Sequence, residues 1–139
     1  MNIYLVFLFA GIIILGALVL FLMTMGNKKR KTLDVEKFRA RCLEIEHQLK
    51  EEDPASYHMS VLNADKLVDQ AMRERGIKGE TMGERLRSAV SLFSDRNGVW
   101  LAHKLRNRIA HEENVNVTYI EAKSALGCFR KALKDLGAI

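Results

Sequence analysis

Between Trp100 and His111 the chain gathers side chains that could do chemistry. They are an indole, the imidazoles of His103 and His111, the ammonium of Lys104, the guanidinium groups of Arg106 and Arg108, and the amide of Asn107. Imidazole is the side chain that titrates near neutrality, and guanidinium presents a planar fork of donors that suits carboxylate and phosphate oxygens. At about 100° per residue on a helical wheel, Leu101, Ala102, Leu105 and Ile109 fall on one side and predict the core stripe. The opposite side collects Val99, Trp100, His103, Arg106, Asn107 and Ala110, with His111 at its edge. A plain amphipathic helix shows dispensable charge to solvent. This mixture fits a site or an interface better. Basic charge gathers here too. Residues 81–111 carry six Lys or Arg against two acidic residues, whereas residues 33–80 carry eight against eleven.

The segment Arg106-Asn107-Arg108-Ile109-Ala110-His111 reads R-N-x3-H and resembles the R-x4–6-H signature of HEPN domains, in which a polar residue, often Asn, directly follows the arginine. HEPN domains are small all-helical bundles with this motif near or just before a late helix. The resemblance covers the chain from about residue 33 onward and rests on these six residues. It implies metal-independent RNA cleavage at a dimer interface, with Arg106, Asn107 and His111 as the catalytic set. In that reading His111 acts as base on a ribose 2′-OH or as acid to the leaving oxygen. Arg106 holds the scissile phosphate, and Asn107 orients the imidazole. One His cannot be acid and base in a single concerted step, and pairing two subunits removes that difficulty. Trp100, His103, Lys104 and Arg108 then form the cleft or the subunit contact. No metal and no cofactor are expected. RNA, a second copy docked through the face of this helix, and a protein partner are the expected partners.

Other chemistries lack their residues. There is no H-E-x-x-H motif, Cys/His cluster or carboxylate constellation for a metal. No glycine-rich phosphate loop follows a strand, and no serine elbow is present. Cys42 and Cys128, the only cysteines, form no C-x-x-C pair and fall at helical core spacing, so buried reduced thiols are expected.

The elements that must position these residues are helical throughout. Helices are predicted over about residues 33–51, 54–76, 81–93, 99–110 and 118–136, punctuated by Pro54, Gly76, Gly98 and Gly137. The inward residues are Val35, Phe38, Cys42, Ile45 and Leu49; Tyr57, Val61, Ala64, Val68, Ala71 and Met72; Leu86, Ala89, Val90 and Phe93; and Tyr119, Ala122, Leu126, Phe129, Leu133 and Leu136. Thr81-Met82-Gly83-Glu84 and Thr118-Tyr119-Ile120-Glu121 both have the form of a capping box.

Ahead of this bundle the chain changes character. Residues 3–25 include twenty hydrophobic residues and no charge, interrupted only by Gly11, Gly16 and Thr24. As a helix they span about 34 Å, enough for the ~30 Å hydrocarbon core of a bilayer. Lys28, Lys29, Arg30 and Lys31 follow at once. No basic residue precedes the run and no small-residue cleavage site ends it, so a retained anchor is expected rather than a signal peptide. The positive-inside rule puts the N-terminus outside and the C-terminal domain in the cytoplasm. Beyond this cluster eighteen Lys and Arg oppose seventeen Asp and Glu, so the high pI of 9.4 mostly reports the membrane flank. The predicted organisation is an all-α chain: a single transmembrane anchor over 1–27, a basic juxtamembrane linker over 28–32, and a cytoplasmic five-helix bundle over 33–139. A non-catalytic helical interaction module, or a scaffold at the inner membrane face, is the alternative function.

Overall fold

The computed structural model describes residues 2–26 and 32–139; the basic cluster Lys28 to Lys31 lies outside the described residues. It has two compact units, divided near residue 30. The first is one helix, α1 (Ile3–Gly26), without a polar face. It is long and apolar enough to cross a membrane, and none of its most apolar stretch is buried against protein.

The second unit holds α2 (Val35–Gln48), α3 (Pro54–Glu74), α4 (Met82–Ser88), a 3-10 turn over Val90–Leu92, α5 (Arg96–His111) and α6 (Tyr119–Asp135). No strand occurs among the described residues. Each α-helix starts where a side chain satisfies an otherwise orphaned N–H. Asp34, Asp53, Thr81, Asp95 and Thr118 cap α2 to α6 in turn. At Thr118 the box is reciprocal, because Glu121 accepts from the Thr118 backbone N–H. Gly137 ends α6 at φ 67°, with Ala138 N–H returning to the Leu133 carbonyl.

Helix α3 is central and packs on α2, α5 and α6. Phe38, Val61, Val68, Ala71, Met72, Phe129 and Leu133 form the driest part of the core. The predicted stripes of the first, second and last bundle helices lie inside, except that Val35, Leu49 and Tyr119 at helix ends are only half-buried.

Two expectations need correction. The helix over 81–93 is cut short. Ala89 leaves helical geometry and the chain tightens into the 3-10 turn, which buries Phe93 while turning Val90 outward. Residues 96–98, expected to lie between helices, form the first turn of α5, which Asp95 caps. Asp95 accepts from Gly98 N–H, and its carboxylate fills the space where a Cβ at residue 98 would sit, so a side chain there would have to displace the capping carboxylate.

Candidate functional site

Helix α5 buries a different face from the one the wheel predicts. Leu101, assigned to the core, is 64% exposed, while Val99, assigned to the outer face, is 3% exposed. Ala102 is buried as expected, and Leu105 and Ile109 are half-buried. The reason is that α5 meets two neighbours. One flank lies on α6 and the other turns its polar residues onto α3. A single apolar stripe is the signature of a helix with one buried side, and α5 is not one.

The polar flank meets Asp65 of α3, which is 3% exposed. Its Oδ1 lies 2.8 Å from Nδ1 of His103, itself buried. Its Oδ2 lies 3.2 Å from Nε of Arg106. That second pair is an attraction of charges rather than a hydrogen bond, since the buried Nε–H is not aligned on any acceptor. Arg106 donates from Nη1 to Oδ1 of Asn107 at 2.8 Å. Asn107 Nδ2 stands 3.2 Å from Nε2 of His103. Four side chains therefore close a ring: Asp65, His103, Asn107 and Arg106.

Above the ring lies an open groove of about 930 Å3 between α3, the start of α4, and α5. Trp100, His103, Lys104, Arg106, Asn107 and His111 all line it. Of the seven α5 residues predicted for the site, only Arg108 is absent. It is exposed and lies 3.6 Å from Glu112, one helical turn on. The Trp100 and His103 rings are tilted together with centroids 5.9 Å apart. His111 is the last residue of α5 and is exposed at the groove's edge. The amide of Asn107 thus orients an imidazole, but the imidazole is His103, one turn earlier, and not His111.

Helix α3 supplies the half of the groove that the sequence reading missed: Met59, Leu62, Asp65, Lys66, Asp69 and Arg73. Asp69 is held by Arg85 Nε at 2.7 Å and by Arg73 Nε at 3.2 Å. Arg85, buried, also donates to the Gly79 carbonyl and so pins the loop before α4 to α3. With both carboxylates paired, Lys66 and Lys104 stand exposed without an ion-pair partner among the described residues. A signal for Asp65 was present. Val61, Asp65, Val68 and Met72 follow helical spacing, and a carboxylate inside an apolar stripe must find partners.

The thiols are set apart from this groove. Burial raises the pKa of Cys42, and the nearby Glu46 charge adds to it. Burial also raises that of Cys128, with Asp95 contributing. Neither is prepared as a nucleophile. Among the described residues no three His, Cys, Asp or Glu side chains group as metal ligands would.

No family model matches the chain, and no curated protein or solved structure is detectably similar to it.

Proposed function

We propose that the chain is a membrane-anchored, HEPN-like helical domain that binds RNA in the α3–α5 groove and cleaves it without a metal. One observation carries the reading: Arg106, Asn107 and His111 of the R-N-x3-H segment line a single open groove, together with an indole and exposed lysines. Phosphate oxygens fit the guanidinium and ammonium groups, and an unpaired base fits the indole face. His111, exposed at the edge, can reach a ribose hydroxyl or a leaving oxygen. In the cleavage step the 2′-oxygen attacks phosphorus as a base takes its proton. The P–O5′ bond breaks, an acid protonates the departing 5′-oxygen, and a 2′,3′-cyclic phosphate remains. Arg106 offsets the charge that builds on the phosphate. A second copy docked through the α5 face supplies the other imidazole. The N-terminus lies outside and the bundle in the cytoplasm, with the basic residues after α1 on the inner face.

A second reading, a non-catalytic interaction module, draws support from the ring itself. Asn107 is engaged with His103, and the charge of Arg106 is opposed by Asp65.

The experiment is to incubate the full chain in detergent micelles with mixed single-stranded RNA in EDTA, beside His111→Ala and Arg106→Ala. Cleavage that leaves 2′,3′-cyclic ends, lost in both variants, is expected. A folded wild-type chain that leaves the RNA intact would sink the enzyme and favour the interaction module.

A further inference from the structure

The ring beneath the groove admits only one arrangement of protons. Arg106 can only donate, so the Asn107 oxygen must face its Nη1. The Asn107 NH2 group then faces His103 Nε2, which must accept. The ring proton of His103 is therefore on Nδ1, where it is donated to Asp65 Oδ1 at 2.8 Å. Turning the Asn107 amide over would set NH2 against the guanidinium. A proton on Nε2 would set N–H against NH2. Either change breaks one of the bonds, and these groups have little water to turn to, because Asp65 and His103 are buried.

A carboxylate behind a histidine in a groove is also the arrangement of a general base, but two facts exclude that use here. Nε2, the atom a base would need, is occupied by Asn107. His103 also stands two helical turns before His111, about 12 Å along the axis, too far for both imidazoles to serve one phosphorus readily. What the ring does control is Arg106. Its guanidinium has no hydrogen bond other than that to Asn107 among the described residues, and its charge faces Asp65 Oδ2. Both restraints lead back to Asp65, one directly and one through His103 and Asn107.

We infer that Asp65 and His103 are positioning residues for Arg106, and that they hold its guanidinium toward the groove only while His103 is the neutral Nδ1–H tautomer. This rests on the reading of the groove as a phosphate-binding site.

The test has two parts that can fail separately. Long-range proton–nitrogen NMR on the 15N-histidine-labelled full chain in detergent micelles reads the tautomer directly, with His103 assigned by its loss in His103→Gln. A protonated Nδ1 and an unprotonated Nε2 at neutral pH are expected. An Nε2–H or doubly protonated ring overturns the inference. Binding is then read by fluorescence anisotropy with a 2′-O-methyl oligonucleotide, which offers phosphates but no nucleophile. Arg106→Ala is expected to weaken binding about tenfold, and Asp65→Asn about fivefold in the wild-type background. In the Arg106→Ala background Asp65→Asn should cost nothing more, because it acts through the arginine. An equal loss in both backgrounds makes Asp65 merely structural and overturns its role. If Asp65→Asn unfolds the chain, Asn107→Ala opens the ring from its groove side and takes its place in the cycle. Unchanged binding in Arg106→Ala removes the phosphate reading and the positioning role with it, even where the tautomer is as expected.

Discussion

Asp65 Oδ1 lies 2.8 Å from Nδ1 of His103, and this contact between α3 and α5 joins two buried polar side chains thirty-eight residues apart in sequence. It explains how a helix can turn imidazole, amide and guanidinium toward a neighbouring helix and still pack. A buried carboxylate is tolerated when its oxygens are matched, and here an imidazole N–H meets one oxygen and a guanidinium charge the other. Asp65→Ala should therefore destabilise the bundle by about 1–3 kcal/mol, since it leaves the buried His103 Nδ1–H without an acceptor and removes the charge that faces Arg106. Urea unfolding of wild type and variant reads the difference. A change within about 0.5 kcal/mol, the range of ordinary surface substitutions, would show that the contact contributes nothing.

The reassigned face of α5 gives a direct comparison. Val99 is buried and Leu101 is exposed, the reverse of the periodic reading. Val99→Ala should cost roughly 2 kcal/mol through lost burial and a residual cavity. Leu101→Ala, though it removes a larger side chain, should stay within about 0.5 kcal/mol. Thermal melting of the two variants checks the order, and the opposite order would restore the wheel.

What the sequence made legible follows from which interactions are local. Caps depend on residues two or three apart, so Thr118 with Glu121 marked the start of α6 correctly, as Pro54 marked that of α3. The α3 stripe from Val61 to Met72 also read correctly, because one long helix at the centre repeats its apolar period for several turns. The start of α5 was legible in principle from Asp95, but Ser94, Asn97 and Gly98 around it look like a loop. The groove was half legible. Its α5 residues stand together in sequence, whereas Asp65, Asp69 and Arg73 join them only when α3 and α5 pack. No periodicity within α5 reveals that partner, and for that reason Asn107 was matched with His111 rather than His103.

The cysteines predict slow chemistry. Burial raises both thiols, and the carboxylates of Glu46 and Asp95 push the same way. Reaction with iodoacetamide at neutral pH should be much slower in the folded chain than in urea, where thiols return to their ordinary range. Alkylation followed by mass spectrometry measures both rates. Equal rates would mean that the thiols are not shielded.

Glu121 links the start of α6 to pH. Hydrogen bonds from the Thr118 backbone N–H, and then from its hydroxyl, hold the Glu121 carboxyl below its ordinary range. A carboxyl lowered by folding binds fewer protons in the folded state than in the unfolded one. Its contribution is thus complete above the unfolded value, near 4.3, and is lost as pH falls through the lower folded value. Glu121→Gln should melt below wild type at pH 7, and the gap should close on acidification below about pH 4. Thr118→Ala, which removes the cap itself, should cost about 1 kcal/mol. A gap that stays constant with pH would show that the Glu121 charge has no part in the box.

Helix α1 makes a prediction about mass and solubility together. A span of this length and hydropathy is stable in a bilayer, because its backbone groups are satisfied within the helix and its side chains match the lipid. A retained anchor should keep the chain in the membrane fraction through alkaline carbonate extraction at its full 15.8 kDa. Deleting residues 2–26 should move it to the soluble fraction, since the remaining bundle buries its own core. Intact mass decides between anchor and cleaved signal: a product shorter by the length of α1, found in the soluble fraction of cells making the full chain, would make α1 a signal segment and remove the membrane from the functional reading.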